Sequence, residues 1–234
     1  MGLLNGVRYG ELVKLSENVT ATFHEAGHIL GSAILDLRVR ENGVERRIVF
    51  SGDLGQWNKP LIRDPSLLEE ADYVVMESTY GDRDHPADRN VSAQLADTIN
   101  DTYRRGGNVV IPTFAVERAQ ELMYHVSQLV YADRIPDLPV FLDSPMAVDV
   151  TDVFRKNSEY MDSETHHLFA TERSPLRFPG LRLARTVDES KAIAHQRGSS
   201  IIMSTSGMCT AGRIKHHLVN NISRPESTVL FVGY

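Results

Sequence analysis

Two residues stand where chemistry is easiest to build: His28, which follows Ala26-Gly27 in A-G-H-I-L-G-S-A, and Asp53, which follows Ser51-Gly52 in F-S-G-D-L-G. An imidazole and a carboxylate that meet at loop ends are suited to Zn²⁺, at ~2.0–2.2 Å. Read singly, each has a plainer role. A lone histidine after a strand is ordinarily a surface or hydrogen-bonded residue, and an aspartate in such a turn ordinarily accepts from nearby backbone N–H groups. The single cysteine, Cys209, excludes an internal disulfide and any cysteine-based zinc cluster, so a metal would take His and carboxylate ligands. Cys209 itself lies before an expected helix start, where thiols become more acidic. Free cysteines are usually buried packing residues, and it is read as one.

The metal reading requires that the chain bring His28 and Asp53 together. Ser32–Val39 and Glu45–Phe50 read as two strands joined by Asn42-Gly43, the residue pair that two-residue hairpin turns favour. Such a hairpin returns its ends to one edge of a sheet. Before it, Val7–Leu15 and Val19–His24 look like strands parted at Ser16-Glu17-Asn18. After it comes a turn-rich stretch around Trp57, the only tryptophan. The short apolar run from Asp72 to Glu77 then reads as a buried strand. Glu77 ends that strand, where open α/β sheets present functional groups.

From Ala87 strands alternate with helices. Val91, Leu95, Ile99 and Tyr103 give helical spacing across Arg89–Arg105, which stops at Gly106-Gly107. Strands are expected at 108–111, 139–142, 181–185, 199–203 and 228–232, with helices at 116–131, 146–157, 187–196 and 212–221. This alternation predicts a mostly parallel sheet with helices on both faces. A boundary near Ser78 separates a β-rich piece, 1–77, from an α/β domain, 78–234.

The loops after these strands carry a second set of candidates. Thr113 and Arg118 follow one strand, Ser144 another, and Ser206, Gly207, Gly212 and Arg213 a third; Arg83 follows the strand that ends at Glu77. Serine and glycine ahead of a helix leave backbone N–H groups that can hold a phosphate, assisted by the helix dipole. The plainer reading of each loop is an ordinary helix cap.

Composition narrows the class. Hydrophobic content of 41% and charged content of 24% in 234 residues are those of a soluble globular protein with a sizeable core. No apolar run approaches the ~20 residues that span a bilayer, and the start lacks the pattern of a signal peptide. A cytoplasmic location and no membrane partner are expected. A net charge of −6 argues against a protein that coats nucleic acid non-specifically, but leaves room for a local basic cleft.

In order along the chain, A-G-H-I-L-G-S-A, F-S-G-D-L-G, M-E-S-T-Y-G-D-R (76–83), I-P-T-F-A-V-E-R-A-Q-E (111–121), L-D-S-P-M-A (142–147), S-G-M-C-T-A-G-R-I-K-H-H-L (206–218) and F-V-G-Y (231–234) resemble the beta-CASP family of metallo-β-lactamase-fold nucleases. The resemblance is strongest to ribonucleases similar to the mRNA 3′-end cleavage endonuclease. It implies an α/β architecture: the C-terminal part of a metallo-β-lactamase half-domain, then a mostly parallel three-layer beta-CASP domain that confers RNA specificity. It further implies a two-zinc centre in which His28 is a ligand of one ion and Asp53 bridges both. Glu77 would match the family's acidic motif and orient a catalytic histidine supplied by a later block. RNA is the implied partner, and a homodimer is allowed.

The chain departs from the family pattern at both ends. No H-x-H-x-D-H occurs, and Tyr234 comes before the family's S-A-H block and its last zinc-binding histidine. Intact internal blocks with missing bounding ones imply truncation rather than decay. The expectation is a zinc-dependent endoribonuclease of RNA processing, with an exonucleolytic mode left open, of which this chain alone binds zinc weakly and has negligible activity. The alternative from another class is a non-catalytic RNA-binding scaffold subunit. A small-molecule hydrolase is disfavoured by the long α/β segment, and DNA is a less favoured substrate. No other histidines supply the missing motif, since His24 and His28 are four apart and His166-His167 and His216-His217 are adjacent pairs; His85, His125 and His195 are read as surface or core residues, with His85 a candidate to line the cleft beside Arg83.

Overall fold

The computed structural model describes residues 4–83 and 90–232. His85, Ala87, Arg89 and the closing Gly233-Tyr234 lie outside them. The chain forms two compact units, 1–87 with 160–162, and 88–159 with 163–234. The division therefore falls about ten residues beyond the boundary expected near Ser78, and a short segment after the third helix joins the first unit.

The first unit is built on a five-stranded sheet in the order β1-β2-β3-β4-β5: β1 (Leu12–Lys14), β2 (Val19–Glu25), β3 (Ala33–Glu41), β4 (Val44–Phe50) and β5 (Tyr73–Val75). The pairs are antiparallel except β4 with β5. Asn42 and Gly43, with φ of 53° and 79°, close the β3–β4 hairpin in the left-handed conformation that a two-residue turn of type I′ needs. The register pairs Glu41 with Val44 at the turn and Leu35 with Phe50 at the open end, so the residues before β3 and after β4 emerge on one edge. Between Val7 and Leu15 only Leu12–Lys14 is strand. Tyr9-Gly10 is a turn instead, with Gly10 at φ 77° donating its N–H to Phe23 at 2.8 Å.

The run at 72–77 is not buried as its sequence suggests. Tyr73, Val74, Val75 and Met76 are 58%, 61%, 54% and 62% exposed. The physical reason is position: β5 is an edge strand bonded only to β4, and neither of its faces is covered within this unit. Sequence alone cannot separate a strand buried by its neighbours from an equally apolar one that lacks them.

The second unit holds a sheet that is parallel throughout, in the order β10-β6-β9-β7-β8: β6 (Val109–Pro112), β7 (Val140–Asp143), β8 (Leu181–Ala184), β9 (Ile201–Ser204) and β10 (Thr228–Val229). Every residue of β6, β7 and β9 is buried, so both faces of these central strands are covered, as parallel sheets require. On one face Val110, Phe141 and Ile202 pack with Ile193 of helix α5 (Val187–Ile193) and Ile214 of α6 (Ile214–Asn221). The other helices are α1 (Val91–Arg104), α2 (Arg118–Tyr131), α3 (Pro145–Lys156) and α4 (Ser163–Phe169). Of these, α1 packs on β6 and on α2, and α3 on β7 and β8. Among the described residues no helix is long and apolar enough to cross a membrane.

Replacing Gly43 with alanine forces a Cβ into the left-handed region, at a cost of about 1–2 kcal/mol. A lowered urea midpoint without loss of the second unit's structure is the expected result, read by circular dichroism.

Candidate functional site

Each unit carries one cluster of the residues singled out above. In the first, the loops on either side of the β3–β4 hairpin are locked by a backbone contact. Gly55 donates its N–H to the Ala26 carbonyl at 2.8 Å, and a Cβ on Gly55 would lie 1.5 Å from the Gly27 oxygen. Only a glycine fits there. Gly27, at φ 65°, is itself wedged against Pro65, 2.7 Å from where its Cβ would be. His28 and Ile29 both donate their backbone N–H to Ser32 Oγ at 3.2 Å, which fixes the loop's path. His28 and Asp53 are thereby held on two touching loops. His28 is half-buried and Asp53 exposed.

Glu77 clamps the same assembly. Its Oε1 accepts from the Leu54 N–H at 2.6 Å and its Oε2 from the Thr79 hydroxyl at 2.8 Å. Its own N–H donates to Ser51 Oγ at 3.2 Å, and Ser51 in turn donates its N–H to Val75. The Leu54 N–H, then the Thr79 hydroxyl, and finally the positive field of His28 hold the Glu77 carboxyl below the ordinary glutamate value, against a smaller opposing effect of burial. In this arrangement Glu77 positions the Asp53 loop.

The donor chemistry of His28 and Asp53 fits part of a zinc site. Among the described residues, neither the imidazole ring nor the carboxylate has a hydrogen bond or ion pair partner. Among the described residues, however, no group of three or more His, Cys, Asp or Glu side chains converges as a metal site would need.

In the second unit β9 lies between β6 and β7, so the three loops that follow these strands converge at one sheet edge. Thr113 donates its N–H to Ser204 at 3.0 Å, Ser204 Oγ donates to the Asp143 carbonyl at 2.8 Å, and Thr205 Oγ1 to Ser144 Oγ at 3.0 Å. Thr113, Ser144, Ser206, Gly207 and Gly212 are thus gathered. Ser144 caps α3 by accepting from the Ala147 N–H at 3.2 Å. Gly212, at φ 81°, has no room for a Cβ, which would fall 2.3 Å from the Thr205 oxygen. Two arginines from the sequence set are engaged internally: Arg118 bonds Glu121 at 2.8 Å, and Arg213 bonds Asp143 at 2.8 Å as well as the carbonyls of Ala184 and Arg185. Arg83 belongs to the first unit, exposed over the Tyr80 ring at 5.5 Å and 3.6 Å from Asp82.

The sequence reading missed the centre of this second cluster, Asp143. Its carboxylate is fully buried and accepts from Arg213, from His217 Nε2 at 2.6 Å and from the Ser190 hydroxyl at 2.6 Å. Burial pushes this carboxyl up, but the bonds from His217, Ser190 and Arg213 outweigh it and hold it below its usual value. The available signal was spacing: Arg213 and His217 are four apart, one helical turn, and face one side of α6. His125, read as structural, bonds Ser92 Oγ at 3.1 Å, and its burial holds the ring below the usual histidine value; His195 is exposed.

A β-sheet unit with a locked His–Asp loop pair, followed along the chain by a wholly parallel α/β unit whose loops gather at its C-terminal edge, defines a two-unit α/β protein. Residues 119–234 match the Beta-Casp domain model, and the chain belongs to the beta-CASP family of metallo-β-lactamase-fold ribonucleases. It is 38% identical to a protein named as a ribonuclease from Thermus thermophilus, over 100% of this chain and 53% of that protein. It is 31% identical to the transcription termination factor FttA of Methanothermobacter thermautotrophicus, over 97% of this chain and 36% of the relative. An RNase J-like protein of Methanocaldococcus jannaschii is 29% identical, over 97% of this chain and 52% of its own length. The chain therefore spans about half the length of some curated relatives and about a third of others.

Because the folded Glu77 value lies below the unfolded one, its clamp contributes fully above the ordinary glutamate range and is lost as pH falls through the depressed value. Urea midpoints across acidic pH should fall less steeply in Glu77→Gln, where Asp143 still titrates, than in the native chain, and the variant is weaker by about 1 kcal/mol at neutral pH. Asp143→Ala strands a guanidinium and an imidazole in the interior and should cost about 3–5 kcal/mol, measured as the stability of the second unit.

Proposed function

We propose that this chain serves RNA processing as part of a zinc-dependent ribonuclease, with the first unit contributing to the metal centre and the second engaging RNA. The observation that carries the reading is the glycine lock that holds His28 and Asp53, two side chains of zinc-ligand type, on adjoining loops. Relatives named as a ribonuclease, an RNase J-like protein and transcription termination factors support RNA as the substrate class.

In this reading His28 would hold one zinc and Asp53 would bridge two, with the remaining ligands supplied by polypeptide beyond these residues. Zinc bound there supplies a Lewis acid and a water that ionises near neutral pH. The chain's own residues do the positioning: Glu77 fixes the Asp53 loop through the Leu54 N–H, and Ser32 fixes His28. Ser206, Gly207 and Gly212, with Arg118, line the edge where RNA phosphates would be received, and the buried Thr113 and Ser144 hold its loops from within. Arg213 acts behind that edge, by tying α6 to Asp143. The residues before Ser78 are then part of a larger metallo-β-lactamase domain, which accounts for the uncovered apolar strand β5.

A second reading, a non-catalytic RNA-binding subunit, is favoured by one observation: among the described residues no third metal donor joins His28 and Asp53. Both readings require the chain to bind single-stranded RNA at low salt, and failure to do so in a filter or anisotropy assay overturns both. They part on metal. In the first reading titration calorimetry finds weak zinc binding to the 234-residue chain, abolished by His28→Ala or Asp53→Ala, with negligible RNA turnover. Zinc binding indifferent to both substitutions supports the scaffold.

A further inference from the structure

Phe114 is the first residue beyond Thr113 at the end of β6, and it is 42% exposed while Thr113 is 1% exposed. A Cβ built on Gly207 would lie 3.0 Å from Cε2, 3.1 Å from Cδ2 and 3.2 Å from Cζ of the Phe114 ring. Three adjacent ring carbons at nearly one distance mean that Gly207 abuts the flat of the ring. An approach within the ring plane would leave Cδ2 and Cζ well beyond Cε2. One face of the aromatic is therefore backed by glycine main chain, while the residue as a whole stays exposed.

The platform is held still. Thr113 Oγ1 donates to the Phe114 carbonyl at 3.3 Å, and Gln120 Nε2 to the Ala115 carbonyl at 3.2 Å. Beneath the ring, the Ser206 N–H donates to Ala211 at 3.1 Å and the Cys209 N–H to Ser206 at 3.1 Å. A rigid flat surface the size of one ring, beside the hydroxyls and N–H groups of the loops after β7 and β9, suits a ligand that is apolar on its faces and polar around its rim. A protein partner would need several hundred Å² of contact. An unpaired nucleobase has the required shape, and its stacking on an aromatic tolerates any sequence.

We propose that Phe114 is a stacking platform for an unpaired base of RNA, backed by Gly207. The proposal rests on the RNA reading above and adds to it that the strand is single and unstacked where it crosses this edge. It also assigns part of the affinity to a base rather than to phosphates.

The test compares a single-stranded oligoribonucleotide with an abasic ribose-phosphate oligomer of the same length, using the 234-residue chain and Phe114→Leu. Phe114→Leu should weaken binding of the oligoribonucleotide about tenfold or more and leave the abasic oligomer unaffected. Phe114→Trp, made with Trp57→Phe so that residue 114 is the sole indole, should bind like the native chain and lose fluorescence when RNA is added. Equal RNA binding by the native chain and Phe114→Leu overturns the platform and leaves the RNA reading standing, as does an unquenched indole on bound RNA. An equal loss for the abasic oligomer assigns the residue a merely structural role and overturns it too. A native chain that binds no RNA removes both readings.

Discussion

At Gly55 the chain passes so close to Gly27 that no side chain could be accommodated, and the geometry of the first unit depends on that contact. The β3–β4 hairpin delivers its two ends to one edge, but strand pairing fixes loop ends only to within several ångströms. The bond from Gly55 to Ala26 joins those ends. Once they are joined, Pro65 against Gly27 and Glu77 on Leu54 hold the loops from two further directions. The contact explains why both motifs combine a glycine with a potential ligand: G-H and G-D-L-G supply the approach as well as the donors.

The second unit solves the corresponding problem with charge. A parallel sheet places the loops after β6, β9 and β7 side by side but leaves the helices behind them free to slide. Asp143, at the end of β7, removes that freedom by accepting from Ser190 on α5 and from Arg213 and His217 on α6. A buried carboxylate is costly unless its lone pairs are occupied, and here three donors occupy them. The loop after β9 runs into Arg213, so the carboxylate also fixes where Ser206 and Gly207 stand. Gly207 in turn sets the tilt of Phe114.

Much of this was legible in the residues, for identifiable reasons. The hairpin at Asn42-Gly43 could be read because only a few residue pairs tolerate two successive positive φ values. The α/β alternation after Ala87 could be read because the helical spacing in α1 differs so plainly from the short apolar runs of β6 and β9. The exposure of β5 could not, since Y-V-V-M has the same composition whether or not neighbours cover it. Nor could Asp143. L-D-S-P reads as a strand end and a helix cap, which it is, and nothing local reveals that Arg213 and His217, about seventy residues away, close on it. Arg213 drew attention as a cation beside a glycine-rich loop, but its partners, as with Asp143, are tertiary.

Those internal pairings bear on how an acidic chain could hold a polyanion. Arg47 is bonded to Asp36, Arg118 to Glu121, Arg155 to Asp152, Arg185 to Asp149 and Asp152, and Arg213 to Asp143. Each pairing reduces what the guanidinium offers to a phosphate, and the chain as a whole carries a net charge of −6. An RNA engaged at the edge of the second sheet would therefore owe little to long-range attraction, which clustered unpaired cations provide. It would depend on short-range groups: backbone N–H groups beside Gly207 and Gly212, and the face of Phe114. Contacts of that kind act only on a strand already in register and weaken less with salt than ion pairs do. The fixed loops of this unit suit such contacts, because groups that reach no farther than a hydrogen bond or a ring face must be in place before the ligand arrives.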